Sequence, residues 1–428
     1  MKNIFWIVLL LLGVASCTQE ESVFEQTADE RINAALDGYQ QQLLAAPYGW
    51  KAVVYPGAGG VYSFYMNFND KNRVTMYSDF SLVAASTAKE SSYRLKALQT
   101  PSLLFDTYSY LHLLADPHPN VNGGNAGEGL VSDYEFSFQA ESDNSENMVL
   151  IGTKNNTRMV LVKATQNESV AYARGDLAKS FLFANISKYP TYFKRITVGG
   201  VVYEIIVDQS SRNIIFNWLE GSTPKSFTTG YYYSSTGVSF ISPFTNGSQT
   251  INGFSDIVWD ATKVELGFKV NGNNVVVNQA AKPMNVNLQA ARNWWNYAAD
   301  KGSYWISLTG VTVQGQEDFY KVQDIPNYLY ILFFPAFNTS GSTLYDAFAA
   351  YDGDAIMGPA VVPTFRTDGR ITFSVLGTFG TNAAVNSQLS TMAAETNGFY
   401  LIQTSPLNYD MVSAKDGKTW ISWWYPWQ

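Results

Sequence analysis

Apolar residues along this chain keep two different periods. Over 28–46 they recur as Ile32, Leu36, Tyr39, Leu43 and Leu44, the spacing of one helix face, and Thr27-x-x-Glu30 supplies a capping box in front of them. This predicts an amphipathic helix that ends before Pro47. From Trp50 the period drops to two. "WKAVVYP", "GVYSFYMNFND", "RVTMYSDF", "SSYRLKAL", "SYLHLLAD", "DYEFSFQAE", "NMVLIGTK" and "TRMVLVKAT" are strand-length runs. Turn residues punctuate them at Pro56-Gly57, Asn69–Asn72 and Lys154–Asn156. Eight short strands in succession predict an antiparallel meander that curls or closes like a small barrel.

The same alternation continues downstream. "RITVGGVVYEIIVD", "NIIFNWLEG", "FTTGYYYSS", "GVSFISPF", "QTINGFSDIVWD", "KVELGFKVNG" and "NVVVNQA" predict a second meander, with a hairpin turn at Asn271-Gly272. Helical patterns fall at 175–190, 285–300 and 382–396, the last stopped by Asn397-Gly398. The third part runs from "SYWISLTG" to "KTWISWWYPW". The expected fold is mainly β: tandem antiparallel meander or barrel-like modules with a few short helices, one of them the N-terminal amphipathic helix. The expected domains are an N-terminal helix plus β domain over 27–166, a second β domain over 167–284 and a C-terminal α+β domain over 285–428. Strand–turn–strand runs at 62–79, 203–218 and 363–375 echo one another, either as divergent copies of one β unit or as three ordinary hairpins.

The first residues break this pattern. Lys2, the apolar run Ile4–Leu12 and the small residues Gly13–Ser16 predict a secretory signal peptide over 1–16. The run is shorter than the about 20 residues a spanning helix needs. "VASC" (Val14–Cys17) resembles a bacterial lipobox, which implies a diacylglycerol on Cys17 and a lipidated tether over 17–26. Thr18 after the cysteine implies the outer membrane. Glu20 and Glu21 resemble a surface-export tag, which implies display on the cell surface.

The lipobox, the helix running into "APYGWKAVVYP" (46–56) and "GEGLVSDYEFSF" (127–138) after a long loop resemble the Bacteroides-type lipoproteins of domain-of-unknown-function family 4302. The resemblance implies an accessory of nutrient uptake beside an outer-membrane transporter complex. It brings no catalytic residues with it.

Composition narrows the chemistry. Cys17 is the only cysteine, so once lipidated it leaves no disulfide and no thiol catalyst. The chain is acidic, with a formal net charge of −8, and has no basic cluster, which argues against nucleic acid. No cofactor is expected. Aromatics are 15% of the chain, which suits β cores and sugar-stacking surfaces alike.

Both histidines lie in the Gly/Asn/Pro-rich segment 112–136 with Asp116, Glu128, Asp133 and Glu135. No HExxH spacing occurs, Pro117 and Pro119 flank His118, and a loop beside a half-buried His112 is the expected outcome. Asp133 and Glu135 share one face of "SDYEFSF", either as a solvated strand face or as an acid/base pair. Asp352 and Asp354 flank a glycine in "YDGDAIMG" and are the candidate metal ligands, for calcium. "NWWNY" and "WISWWYPW" offer Trp294, Trp295, Trp420 and Trp424 as candidate ligand-binding tryptophans. Strand alternation puts Trp420 and Trp424 opposite Ile421, Trp423 and Tyr425. The reading that follows is a surface-exposed outer-membrane lipoprotein, anchored through its N-terminal lipid. It is a non-catalytic accessory that binds a nutrient, glycan or peptide, or a transport partner. The alternatives are a carboxylate-dependent hydrolase and a structural or scaffold lipoprotein.

Overall fold

The computed structural model describes residues 27–98, 100–139 and 146–426. Cys17, its lipobox and the acidic tag lie outside the described residues. The fold is mainly β, as the alternation predicts, and it is built from three antiparallel barrel-like sheets. Among the described residues no helix is long and apolar enough to cross a membrane.

Helix α1 (Ala28–Leu44) forms where the capping box predicts it. Thr27 Oγ1 accepts from the Glu30 amide at 3.2 Å and Glu30 Oε2 accepts from the Thr27 amide at 2.8 Å. Its inner face meets the first barrel: Tyr39 stacks on Phe138 with ring centroids 3.9 Å apart, and Leu43 is buried. The barrel closes from β1 (Trp50–Tyr55), β2 (Tyr62–Phe68), β3 (Arg73–Ser78), β4 (Lys89–Ala97), β5 (Pro101–Phe105), β6 (Glu135–Phe138), β7 (Asn147–Gly152) and β8 (Arg158–Lys163), with β8 pairing back onto β1.

One strand differs from expectation. "SYLHLLAD" is not extended. It forms helix α2 (Tyr110–Ala115), and the barrel takes β5 from the preceding "PSLLF". Tyr110, Leu111 and Leu114 are buried together, as helical spacing allows and alternation does not. Pro101 occupies the first position of β5, where the missing N–H is tolerated.

The second sheet runs through β9 (Phe193–Val198), β10 (Val201–Asp208), β11 (Asn213–Glu220), β12 (Thr223–Ser234), β13 (Gly237–Asn246), β14 (Gln249–Asp260) and β15 (Glu265–Val270) to β16 (Asn273–Val276) and β17 (Asn278–Ala280). The run 273–280 pairs with β15 through its first part and with β9 through its last, which brings the sheet back on itself. The turn before it has Asn271 at φ 50° and Gly272 at φ 81°, the left-handed pair that an Asn-Gly hairpin uses. The helical pattern at 175–190 becomes α3 (Asp176–Ser180) followed by a 3₁₀ turn over Phe181–Lys188.

Helix α4 (Ala290–Ala299) leads into the third sheet: β18 (Trp305–Ser307), β19 (Val311–Val313), β20 (Tyr330–Ser340), β21 (Thr343–Tyr351), β22 (Ile356–Phe365), β23 (Ile371–Phe379), α5 (Ala383–Ala393), β24 (Phe399–Ser405), β25 (Asn408–Ser413) and β26 (Thr419–Trp424). β18 pairs with β20 and touches β26, while β19 pairs with β26, so this sheet closes as well. β22 carries Pro359 and Pro363; its end belongs to the strand–turn–strand run at 363–375, while its first part is hidden in the sequence by Pro359, which adjoins a bulge at Ala360/Val361.

The chain divides into two compact units. One holds residues up to Ala58, Phe64–Tyr77 and Ala88–Ser169; the other holds Gly59–Ser63, Ser78–Thr87 and everything from Val170. The two short segments are fixed inside the second unit by a buried ion pair, Arg212 to Asp79 at 2.6 Å. Asp79 also accepts the amides of Ser63 and Tyr233, at 2.8 and 2.9 Å. Burial pushes the Asp79 carboxyl up, and the guanidinium and the two amides offset part of that push.

Candidate functional site

The segment 112–136, unusual in sequence, helps to build an aromatic cleft on the first barrel. The Phe105 backbone organises it. Its N–H donates to the Tyr134 carbonyl at 3.1 Å, which sets Tyr134 at the start of β6. Its carbonyl accepts from His112 Nε2, also at 3.1 Å. The other imidazole nitrogen, Nδ1, accepts the Ser109 amide at 3.1 Å, closing the first turn of α2. An amide can only donate and a carbonyl can only accept, so His112 is the neutral tautomer protonated at Nε2. Burial, the largest influence, holds its pKa below the ordinary value.

So fixed, the imidazole sits between two tyrosines. Tyr108 and Tyr134 stack on it with centroids at 5.5 and 4.8 Å and tilts of 30° and 21°. Both tyrosines are about half exposed, at 48% and 49%. On Tyr108 a cation is already in place: Lys89 Nζ lies 5.2 Å from that ring and 5.7 Å from Tyr110. The Tyr108 hydroxyl donates to the Asp116 carboxylate, and burial together with that bond pushes it up to about 12. The Tyr134 hydroxyl has no partner among the described residues.

Phe105, Asp106, Tyr108, His112, Tyr134 and Glu135 line a cleft of about 290 Å³. Asp106 is gripped by Arg94 through bonds of 2.5 and 2.6 Å, and this pairing holds its carboxyl below the usual range. Glu135 accepts from Thr153 Oγ1 at 3.2 Å. The rim therefore presents carboxylate acceptors and one free phenol, and no lysine or arginine is among its lining residues.

Asp133 has a different task. It is buried, and its two oxygens accept the amides of Lys154, Asn155 and Thr157 at 3.1–3.2 Å. It staples the β7–β8 turn, and a Cβ at Gly152 would stand 2.0 Å from Oδ2, so only glycine fits there. With those oxygens committed to backbone amides, Asp133 is a structural group of the turn and is not free to partner Glu135. His112 likewise has both nitrogens in use and none for a metal.

The remaining sequence candidates lie elsewhere. Trp294 is fully buried in the third barrel against Phe333 and Trp423 and offers no face to a ligand. Trp295 is half-buried and donates to Asp346 at 2.9 Å. Trp420 is half-buried, edge-on to Tyr192 at 5.8 Å with Lys194 Nζ 5.9 Å from its ring. Trp424 is also half-buried, while Ile421 and Trp423 between them are buried, as alternation predicts. Asp352 closes an exposed turn by accepting the amides of Asp354 and Ala355 at 2.9 and 2.8 Å. Among the described residues no three His, Cys, Asp or Glu side chains are grouped to hold a metal ion. Sequence reasoning passed over Tyr108 and Asp106, which lie just outside the segment that drew attention. Alternation puts Tyr134 on one face with Phe136 and Phe138, opposite Asp133 and Glu135, yet only the two phenylalanines are buried.

No curated protein matches the sequence. Among solved structures, a Helicobacter pylori beta clamp bound to a DNA ligase peptide aligns at 7% identity and a TM-score of 0.13, covering 92% of this chain and 98% of that one. The isotype 1 transferrin binding protein B from serogroup B Neisseria meningitidis aligns at 10% identity and a TM-score of 0.14, covering 88% and 75%. Scores this low carry no argument about fold or function. The family described as Domain of unknown function (DUF4302) matches residues 20–261, more than half of the chain and all of the first barrel with its cleft. The chain belongs to that family.

Proposed function

We propose that this protein is a lipid-anchored accessory of nutrient capture, tethered to the outer membrane through Cys17 and facing the cell exterior. It binds without catalysis, and it acts beside an outer-membrane transporter complex. The observation that carries the binding reading is the cleft itself. Three rings are locked in register by both nitrogens of His112, beside carboxylates that accept hydrogen bonds, with both tyrosines left half exposed and the Tyr134 hydroxyl unengaged among the described residues. Such a surface is pre-organised, so a ligand that stacks on it loses little to ordering of the protein. The lipobox and the acidic residues after it support the address, and a lipid with two or three chains anchors stably where one does not.

The test has two arms. Labelled fatty acid should enter the wild-type chain and not Cys17→Ala, and protease added to intact cells should remove the wild-type protein. Purified residues 18–428 should bind members of a glycan and peptide array, and Tyr134→Ala should lose that binding with its thermal unfolding unchanged. Absence of any ligand that depends on Tyr134 overturns the binding reading.

A further inference from the structure

We infer that the cleft takes a single uncharged sugar ring, presented at the end of a glycan, with the ring lying on Tyr134 and its hydroxyls donating to Glu135 and Asp106. This rests on the nutrient-capture reading and narrows it to one class of ligand.

Three observations select the class. The first is the sign of the rim. Of its lining residues the charged ones are Asp106 and Glu135; the nearby cations stand outside the lining, Arg94 bonded to Asp106, Lys89 over Tyr108 and Tyr110, and Lys96 acting on Asp106 from further off. An anionic ligand, whether a uronate, a sulfated sugar or an acidic peptide, would meet two carboxylates and no cation in the lining. The ligand must be rich in donors, and a sugar carries a hydroxyl donor on most of its carbons.

The second is the number of ring faces on offer. A cage for an ammonium or guanidinium group gathers several aromatic faces around the charge. Here His112 has Tyr108 on one side and Tyr134 on the other, and Tyr108 already carries Lys89. The ladder ends at Tyr134. One flat π-face flanked by an acceptor suits the C–H face of a pyranose, whose slightly positive hydrogens meet the negative face of the ring. It encloses a basic side chain poorly.

The third is size. A volume of about 290 Å³ stands at the lower end of ligand pockets, which run to about 1,000 Å³ for drug-sized molecules. It holds one ring with its substituents, and longer chains must leave through the open side.

The experiment is an array of neutral oligosaccharides built from hexoses, pentoses and N-acetylhexosamines, matched with uronate and sulfated glycans and with lysine- and arginine-rich peptides. It is probed with residues 18–428 and with the Tyr134→Ala, Tyr134→Phe and Glu135→Gln variants. The inference expects hits confined to neutral glycans. Titration calorimetry on each hit should show at least a tenfold loss of affinity in Tyr134→Ala, near wild-type affinity in Tyr134→Phe, which keeps the ring face, and an intermediate loss in Glu135→Gln. Binding of anionic glycans or basic peptides that Tyr134→Ala abolishes would overturn the sugar assignment and leave nutrient capture at this cleft standing. Neutral hits indifferent to Tyr134→Ala would overturn the inference by placing the ligand elsewhere. Silence across all sets would overturn both.

Discussion

At the scale of single residues, His112 decides whether the ladder exists. Its ring is clamped by a donor at Nδ1 and an acceptor at Nε2, so a second proton would set Nδ1–H against the Ser109 amide. The charged groups around it are Lys89 on β4, Asp106 after β5, Glu135 on β6 and Asp116 at the end of α2. Lys89 opposes protonation and Asp106 favours it, and burial outweighs both. The folded pKa lies below the unfolded value of about 6.5. Above that value the contribution of His112 to stability is fully present; it is lost as pH falls from there through the folded pKa, because the unfolded chain binds the proton more readily. Urea midpoints should therefore fall between pH 7.5 and pH 5 more steeply in wild type than in His112→Gln, which retains an acceptor for Ser109. A slope unchanged in the variant would show that His112 does not titrate in this clamp. The sequence made His112 visible as one of two histidines. The ladder was illegible there, because it depends on the close approach of Tyr108 and Tyr134, 26 residues apart in sequence.

At the scale of elements, what alternation cannot reveal is where a strand bulges or breaks. β1–β4 and β6–β8 follow their runs of alternating residues, and α1 follows its capping box. β5, β19 and the first part of β22 were hidden, the first behind Pro101, the second by being three residues long, and the third around Pro359. β20 bulges opposite β21 between Phe334 and Asn338, and Ala336 there takes φ 53°. A buried carboxylate holds this bulge: Asp346 accepts the Ala336 amide at 2.8 Å and the Trp295 indole of α4 at 2.9 Å. Burial lifts Asp346 from the ordinary 3.8 to about 6, against the pull of those two donors. The folded state holds the proton more tightly, so stability is greatest below the unfolded pKa and is lost as pH rises through about 6. The loss is roughly 3 kcal/mol at most. Asp346→Asn cannot ionise, and the stability difference between wild type and this variant should shift by that order between pH 4 and pH 7. A difference that stays flat would show that Asp346 does not titrate over this range.

At the scale of the whole molecule, the first and third barrels share a plan. Each follows a helix, and each opens with a buried tryptophan whose indole donates back to that helix: Trp50 to the Leu43 carbonyl and Trp305 to the Trp294 carbonyl, both at 2.9 Å. Each also inserts a helix ahead of its last three strands, α2 in one and α5 in the other. The strand–turn–strand echoes in the sequence are the hairpins β2–β3, β10–β11 and β22–β23. In each, the residue just before the returning strand, or one earlier, is left-handed: Asn72 at φ 55°, Arg212 at φ 53° and Gly369 at φ 84°. Asn and Gly accept that conformation readily, whereas Arg212 holds it while its guanidinium reaches Asp79. Arg212→Leu leaves a buried carboxylate unpaired and should cost about 3–5 kcal/mol in urea unfolding, with Asp79→Asn added to it recovering most of the loss. No recovery in the double variant would mean that the ion pair is not what the arginine supplies. The first barrel leaves a pre-built aromatic surface open at Tyr134. The most direct measurement is a calorimetric titration of residues 18–428 and of Tyr134→Ala with the strongest neutral glycan from the array. A saturable isotherm is expected for the wild type and at least a tenfold weaker one for the variant; equal isotherms would show that the ligand does not lie on Tyr134.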